Sequence, residues 1–98
     1  MPNAILINNV IQDKGIRIAS ANIAVKNNQF ILEGIADYAL EYYLANEEES
    51  QLYELYLYGN EYQGNYKAKE KIVSNNEILR KYTLEIDIDR FIRKVIGE

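Results

Sequence analysis

Ninety-eight residues, 48 % hydrophobic and 27 % charged, make a single domain spanning 1–98 with material for one small core. The chain holds no cysteine and no histidine and carries a net charge of −4, which excludes a disulfide framework, a thiolate or imidazole nucleophile and an ordinary zinc site. The acidic balance also argues against general nucleic-acid binding and anionic membranes as partners, since both need a surplus of Lys and Arg on one face.

The charge is unevenly spread. No Lys or Arg lies between Lys26 and Lys67, and residues 30–66 hold eight of the nine tyrosines together with eight acids. An acidic, tyrosine-dense middle is thus flanked by basic ends.

In chain order, Ala4–Ile11 is a short apolar run interrupted by Asn8-Asn9. Gln12-Asp13-Lys14-Gly15 then predicts a tight turn with Gly15 in the left-handed position. Ile16–Val25 reads as the return strand, with a break in phase near residues 20–22. Lys26-Asn27-Asn28-Gln29 predicts a second hairpin turn, because asparagine tolerates positive φ, and Asn28 should then accept glycine. From Phe30 to Leu44 apolar and small residues alternate with a set that carries the acids, the period of a long strand bent at Gly34. The alternative over 35–48 is a helix, with Asp37, Glu41, Ala45 and Glu48 as its polar stripe.

Asn46–Ser50 reads as a polar loop and Leu52–Tyr58 as a strand covered on both faces. A connection falls within 59–65, and Tyr66–Val73 follows as a strand bearing Lys67, Lys69 and Lys71 on one face. Ser74–Glu77 repeats the Asn-Asn turn chemistry, and 78–88 alternates as a half-buried strand. At the end the period changes. Ile88, Phe91, Ile92, Val95 and Ile96 fit one helix face, with Asp87 or Asp89 as cap and Gly97 as stop. No internal repeat stands out. The expected fold is mainly β: a six-stranded antiparallel meander, closed as a small barrel or folded as a sandwich, with a short C-terminal helix.

For catalysis the chain offers little. Ser20, Ser50, Ser74 and Thr83 are its Ser and Thr hydroxyls, none within a Gly-x-Ser-x-Gly elbow, and no glycine-rich phosphate loop is present. Glu85, Asp87 and Asp89 lack the spacing of a calcium loop and read as a strand face ending in a helix cap. The expectation is a protein that is not an enzyme and has neither cofactor nor metal. Lys67, Lys69 and Lys71 read as a solvated face, or as the guard of an edge strand.

Tyr38, Tyr42, Tyr56, Tyr58 and Tyr82 suit a core or its wall. Tyr43, Tyr53, Tyr62 and Tyr66 are harder to bury together, and with Glu47, Glu48 and Glu49 they form the candidate partner-binding set. The leading function is a non-enzymatic protein–protein interaction or assembly module, either a homo-oligomer or a subunit of a larger phage or mobile-element particle. A small-molecule-binding β-barrel with a tyrosine-lined mouth is the second reading. An acidic mimic of nucleic acid is the third, although Glu33, Asp37 and Glu41 would stand ~13 Å apart along a strand, which is sparse. With no apolar run of ~18 residues and no basic leader, the expected location is the cytoplasm or a virion.

Overall fold

Short runs of β-branched, aromatic and leucine residues form the strands, and two-residue corners rich in asparagine separate several of them. The computed structural model describes residues 3–12, 15–19, 22–43, 52–73 and 78–97, and of residues 33–36 and 73 the backbone alone. Its elements are β1 (Asn3–Ile7), β2 (Val10–Gln12), β3 (Ile16–Ala19), β4 (Asn22–Lys26), β5 (Gln29–Tyr43), β6 (Tyr53–Tyr58), β7 (Glu61–Val73), β8 (Leu79–Tyr82) and α1 (Glu85–Ile96).

Every strand pairing among the described residues is parallel. One sheet has the order β1-β4-β6-β8, and in the other β5 lies between the two short strands β2 and β3 on one side and β7 on the other. Apart from the step from β2 to β3, which stays in the second sheet, the chain passes from one sheet to the other at each step, so it winds around a shared core. A strand therefore meets its partner one full coil later. Asn3 lies beside Asn22, Ile23 beside Leu55 and Tyr53 beside Leu79, separations of 19, 32 and 26 residues.

This overturns the antiparallel meander, whether barrel or sandwich, and also the helix over 35–48, where β5 runs on to Tyr43. The corners explain why. A type I′ hairpin, the two-residue turn that Asn-Asn suits, needs positive φ at both central residues, whereas here Asn8 (58°), Asn27 (55°) and Gly59 (70°) are followed by Asn9, Asn28 and Asn60, none with positive φ. One left-handed residue bends the strand out of its sheet without reversing it. The corner's backbone groups then bond to the next coil, with Asn8 N–H donating to Lys26 O and Asn27 N–H to Tyr58 O. Parallel neighbours need a long crossover, and the opposite sheet supplies it.

Gly15 departs from expectation as well, since its φ is not positive. A Cβ at that position would run into the backbone carbonyls of Tyr38 and Ala39, so the chain passes too close to β5 for any side chain. The expected turn residues Asp13 and Lys14, the loop Asn46–Ser50 and the second Asn-Asn turn at 74–77 lie outside the described residues.

Between the sheets, Ile23, Val25, Leu55 and Leu57 from one side pack against Ile18, Phe30, Leu40 and Tyr42 from the other. At roughly 1.5–3 kcal/mol per large apolar side chain removed from water, this layer is the main stabilising term. The outer face of the first sheet has its own core, where Ala24 and Tyr56 meet Ile88 and Phe91 of α1. Tyr56 stacks between Tyr82 (4.7 Å) and Phe91 (4.5 Å), and the small Ala24 sits beneath the helix.

Helix α1 begins three residues earlier than its periodicity predicts, at Glu85, so β8 stops at Tyr82. Neither Asp87 nor Asp89 caps it. Leu84 stands at the N-cap without a side-chain bond, and Gly97 ends the helix in the left-handed conformation. The Asp89 carboxylate instead accepts a 2.6 Å bond from Lys26 Nζ, which also lies 3.3 Å from Glu85. Those two carboxylates hold the Lys26 ammonium above its ordinary pKa.

The side chain of Asn28 is 0 % exposed and fully bonded. Its Oδ1 accepts from Asn9 N–H (3.0 Å) and Asn9 Nδ2 (3.2 Å), and its Nδ2 donates to Leu6 O (2.9 Å) and Asn60 Oδ1 (3.1 Å). Replacing it strands those partners, so the tolerance for glycine expected from a hairpin turn does not follow. Asn28→Ala should lower stability by about 3 kcal/mol or more, while Asn27→Gly should change it by less than about 1 kcal/mol. Urea unfolding of the two variants tests the contrast. Phe91→Ala should cost about 3–5 kcal/mol in the same assay; a loss below about 1 kcal/mol would mean that α1 contributes no core.

Candidate interaction edges at the ends of the coil

A coil of parallel strands satisfies its inner neighbours and leaves its first and last strands with one open edge each. Among the described residues β1 pairs with β4 alone, β2 and β3 with β5 alone, β7 with β5 alone and β8 with β6 alone. The two ends differ. At the first end the edge is made of three short strands. At the last end the first sheet runs one strand further, to β8, and the second sheet stops at β7.

That step leaves a hollow of about 260 Å³ beside β7, lined in part by Leu57, Asn60, Tyr62, Glu70, Lys81 and Thr83. Lys81 Nζ reaches across from β8 to Glu70 of β7 at 3.1 Å. The amide row also ends here. Asn9 N–H donates to Asn28 Oδ1 and Asn28 N–H donates to Asn60 Oδ1, at 3.0 Å each, and Asn60 Nδ2 reaches back to Val25 O. The next coil would supply an acceptor for Asn60 N–H, but the chain has by then turned into α1.

Along β7 the residues alternate. Tyr62, Tyr66, Glu70 and Ile72 are half-buried, while Gln63, Asn65, Lys67, Lys69 and Lys71 are exposed. Tyr62 stacks on Phe30 at 5.1 Å with the rings 8° from parallel. Burial, and next the charge of Glu70, push the Tyr62 phenol up to about 12. The Tyr66 hydroxyl is raised by burial too. Lys69 lies 5.5 Å from the Tyr62 ring and Lys71 lies 5.1 Å from the Tyr38 ring, cation–π distances that lend those lysines some order.

The candidate partner-binding residues separate. Tyr62 and Tyr66 stand together on β7, packed against the inter-sheet core. Tyr43, at the far end of β5, is half-buried with the Arg17 guanidinium 5.4 Å from its ring. Tyr53 opens β6 and is 4 % exposed, so it belongs to the core and offers no surface. Glu47, Glu48 and Glu49 lie outside the described residues. Sequence reasoning passed over Asn60, and the signal for it was the recurrence of an apolar-x-apolar run ahead of Asn9, Asn28 and Asn60.

A second hollow of about 260 Å³ lies where α1 meets the first sheet, between Glu54, Tyr82, Asp87, Arg90 and Lys94 over the Tyr56–Phe91 stack. Both hollows fall below the roughly 300–1,000 Å³ of small-molecule sites. Among the described residues no helix is long and apolar enough to cross a membrane, and no group of three or more acids is gathered to hold a metal ion. Compared with known protein families, with curated proteins and with solved structures, the chain matches none.

The raised phenols set a pH dependence. The folded state favours the neutral Tyr62, so its contribution is intact below pH 10 and is lost as pH rises through about 12. Burial raises Tyr56 in the same sense, and the Lys26 ammonium adds stability that fades above 10.5. The urea midpoint should therefore fall between pH 10 and pH 12, and Tyr62→Phe should flatten the fall. An identical slope in that variant would show that the Tyr62 phenol is solvated.

Proposed function

We propose that this domain is a non-enzymatic protein–protein interaction module that engages its partners through the strand edges at the ends of its coil. The observation that supports this reading is the set of open edges itself: β1, β2 and β3 at one end and the four-residue β8 and 13-residue β7 at the other, each with one neighbour among the described residues. Open edges join other chains by main-chain hydrogen bonds, with alternate side chains setting the choice of partner. Tyr62 and Tyr66 contribute the apolar area on the β7 side.

Self-association into a homo-oligomer or a larger particle is the assembly form of the same reading. It would join unlike ends, a heterologous contact that propagates unless a rotation closes it. Sedimentation velocity over a hundredfold range of concentration separates that form from a monomeric module with other partners.

Photo-crosslinking gives the decisive test. A photoreactive residue placed at Val10 on the first edge, at Lys67 on the last edge, or at Arg93 on the exposed side of α1 should report contact at the edges in native extract. Crosslinks at Val10 or Lys67 well above those at Arg93 are expected. Equal yields at all three, or yields confined to Arg93, would defeat the proposal.

A further inference from the structure

The step at the last end of the coil has a definite depth. Extending the first sheet one strand beyond the second leaves a place for one extended segment beside β7, and β8 stands where a complete additional coil would have to sit. From this geometry we infer that the β7 edge is a slot for a single acidic, extended strand from a partner protein, laid parallel to β7. This rests on the reading of the domain as an edge-pairing module and names the partner's chemistry.

Three rows of residues in the coil specify that strand. In the corner row, Asn9 and Asn28 pass backbone N–H to the side-chain oxygen of the next asparagine in one direction, and among the described residues no asparagine follows Asn60 in the row to take its N–H. The incoming strand thus begins with Asn or Asp. In the inner row Ile11, Phe30 and Tyr62 lie side by side, as do Ile18, Tyr42 and Ile72, so apolar residues are required two positions after that corner and again beside Ile72. In the outer row Arg17 lies beside Glu41, bonded at 3.3 Å, and Glu41 lies beside Lys71. The signs alternate, and the next position calls for an acid. Exposed Lys67 and Lys69 extend the same preference along the strand.

Charge also favours an acidic strand over a second copy of this chain as the occupant, so the head-to-tail assembly form is the weaker competitor for this edge. In coil register its first edge would set Arg17 beside Lys71, and like charges directly opposite are destabilising. The three lysines that deter indiscriminate edge pairing therefore select an acidic strand over a copy of the module.

The chain itself contains a segment of the required design. Residues 28–43 begin with Asn28, carry Phe30 two positions on, and bear Glu33, Asp37 and Glu41; with the register shift between Ile31 and Ile35 that this segment makes against β7 in the fold, Tyr42 meets Ile72 and Glu41 meets Lys71. A fluorophore-labelled synthetic peptide of that sequence is the probe, added to the intact protein and followed by fluorescence anisotropy. Saturable binding is expected, weakening as salt is raised. Lys71→Glu should weaken it about threefold to tenfold, the range for reversing one cross-strand pair, and a peptide with Glu41→Lys should recover affinity for that variant. Circular dichroism confirms that the variant is folded, and Lys69→Glu serves as a second reporter.

Two peptides methylated on alternate backbone nitrogens, one in each phase, examine the hydrogen bonding; one of them should fail to bind. The inference is overturned if the parent peptide does not bind, or if neither Lys→Glu variant nor either methylated peptide alters binding. Crosslinks at Val10 with no peptide binding would remove the slot and leave the edge-pairing module standing. Crosslinks at neither edge together with no peptide binding would remove both.

Discussion

The buried amide of Asn28 is the interaction on which the rest of the structure depends. A carboxamide in a dry interior is costly unless both donors and both lone pairs are used, and here the Asn28 side chain bonds to Asn9, Leu6 and Asn60 with none left over. Those partners belong to the coil before and the coil after. The amide therefore sets the stacking of three coils in one register. Side chains on neighbouring strands follow, because a slip of one residue would turn the inward rows outward. A second pair of amides works at the start of the same sheet, where Asn22 Nδ2 donates to Asn3 Oδ1 and Asn22 Oδ1 accepts from Glu54 N–H. Each end of these strands is thus tied across coils by side-chain amides, and the hydrophobic core fills the space between.

The corner residues ahead of the row are as constrained as the row itself. Asn8, Asn27 and Gly59 share the left-handed conformation, which asparagine and glycine reach with least strain. Gly59 is bound further, because the Asn27 side chain lies where its Cβ would be. A corner of this kind redirects the strand and keeps its backbone groups available to the next coil. It is what converts short connections, ordinarily a mark of hairpins, into a parallel fold.

Helix α1 plays two parts. It covers the outer face of the first sheet, placing Ile88 and Phe91 over Ala24 and Tyr56, and it is held at the corner by the two carboxylates on Lys26. By taking the chain across that face it also ends the winding after β8. The second sheet is left one strand short, with Asn60 as the last amide and β7 as an open edge. The place where the coil stops and the place proposed for a partner are therefore consequences of one event, the change of period at Glu85.

Much of the local structure was legible in the sequence. The alternation from Phe30 marked a long strand, the aromatic run at 52–58 another, and the apolar spacing of Ile88, Phe91, Ile92, Val95 and Ile96 a helix, because side-chain period reports backbone geometry directly. Tyr62 and Tyr66 stood out with Tyr43 and Tyr53 as hard to bury together, and Lys67, Lys69 and Lys71 read as a solvated face or the guard of an edge. What the sequence by itself did not settle was the direction of pairing. Period two is the same for parallel and antiparallel strands, and Asn27-Asn28 suits a hairpin as well as a corner. The choice turned on whether Asn28 meets water or other amides, which depends on residues 19 positions before it and 32 after it. Unequal spacing of Asn9, Asn28 and Asn60 hid the repeat, since the return paths differ in length. Tyr53 looked like the others along the chain and became core through its place at the start of β6. Tertiary structure decided these matters because hydrogen-bond satisfaction and burial are properties of the stacked coils, and no single stretch of chain possesses them alone.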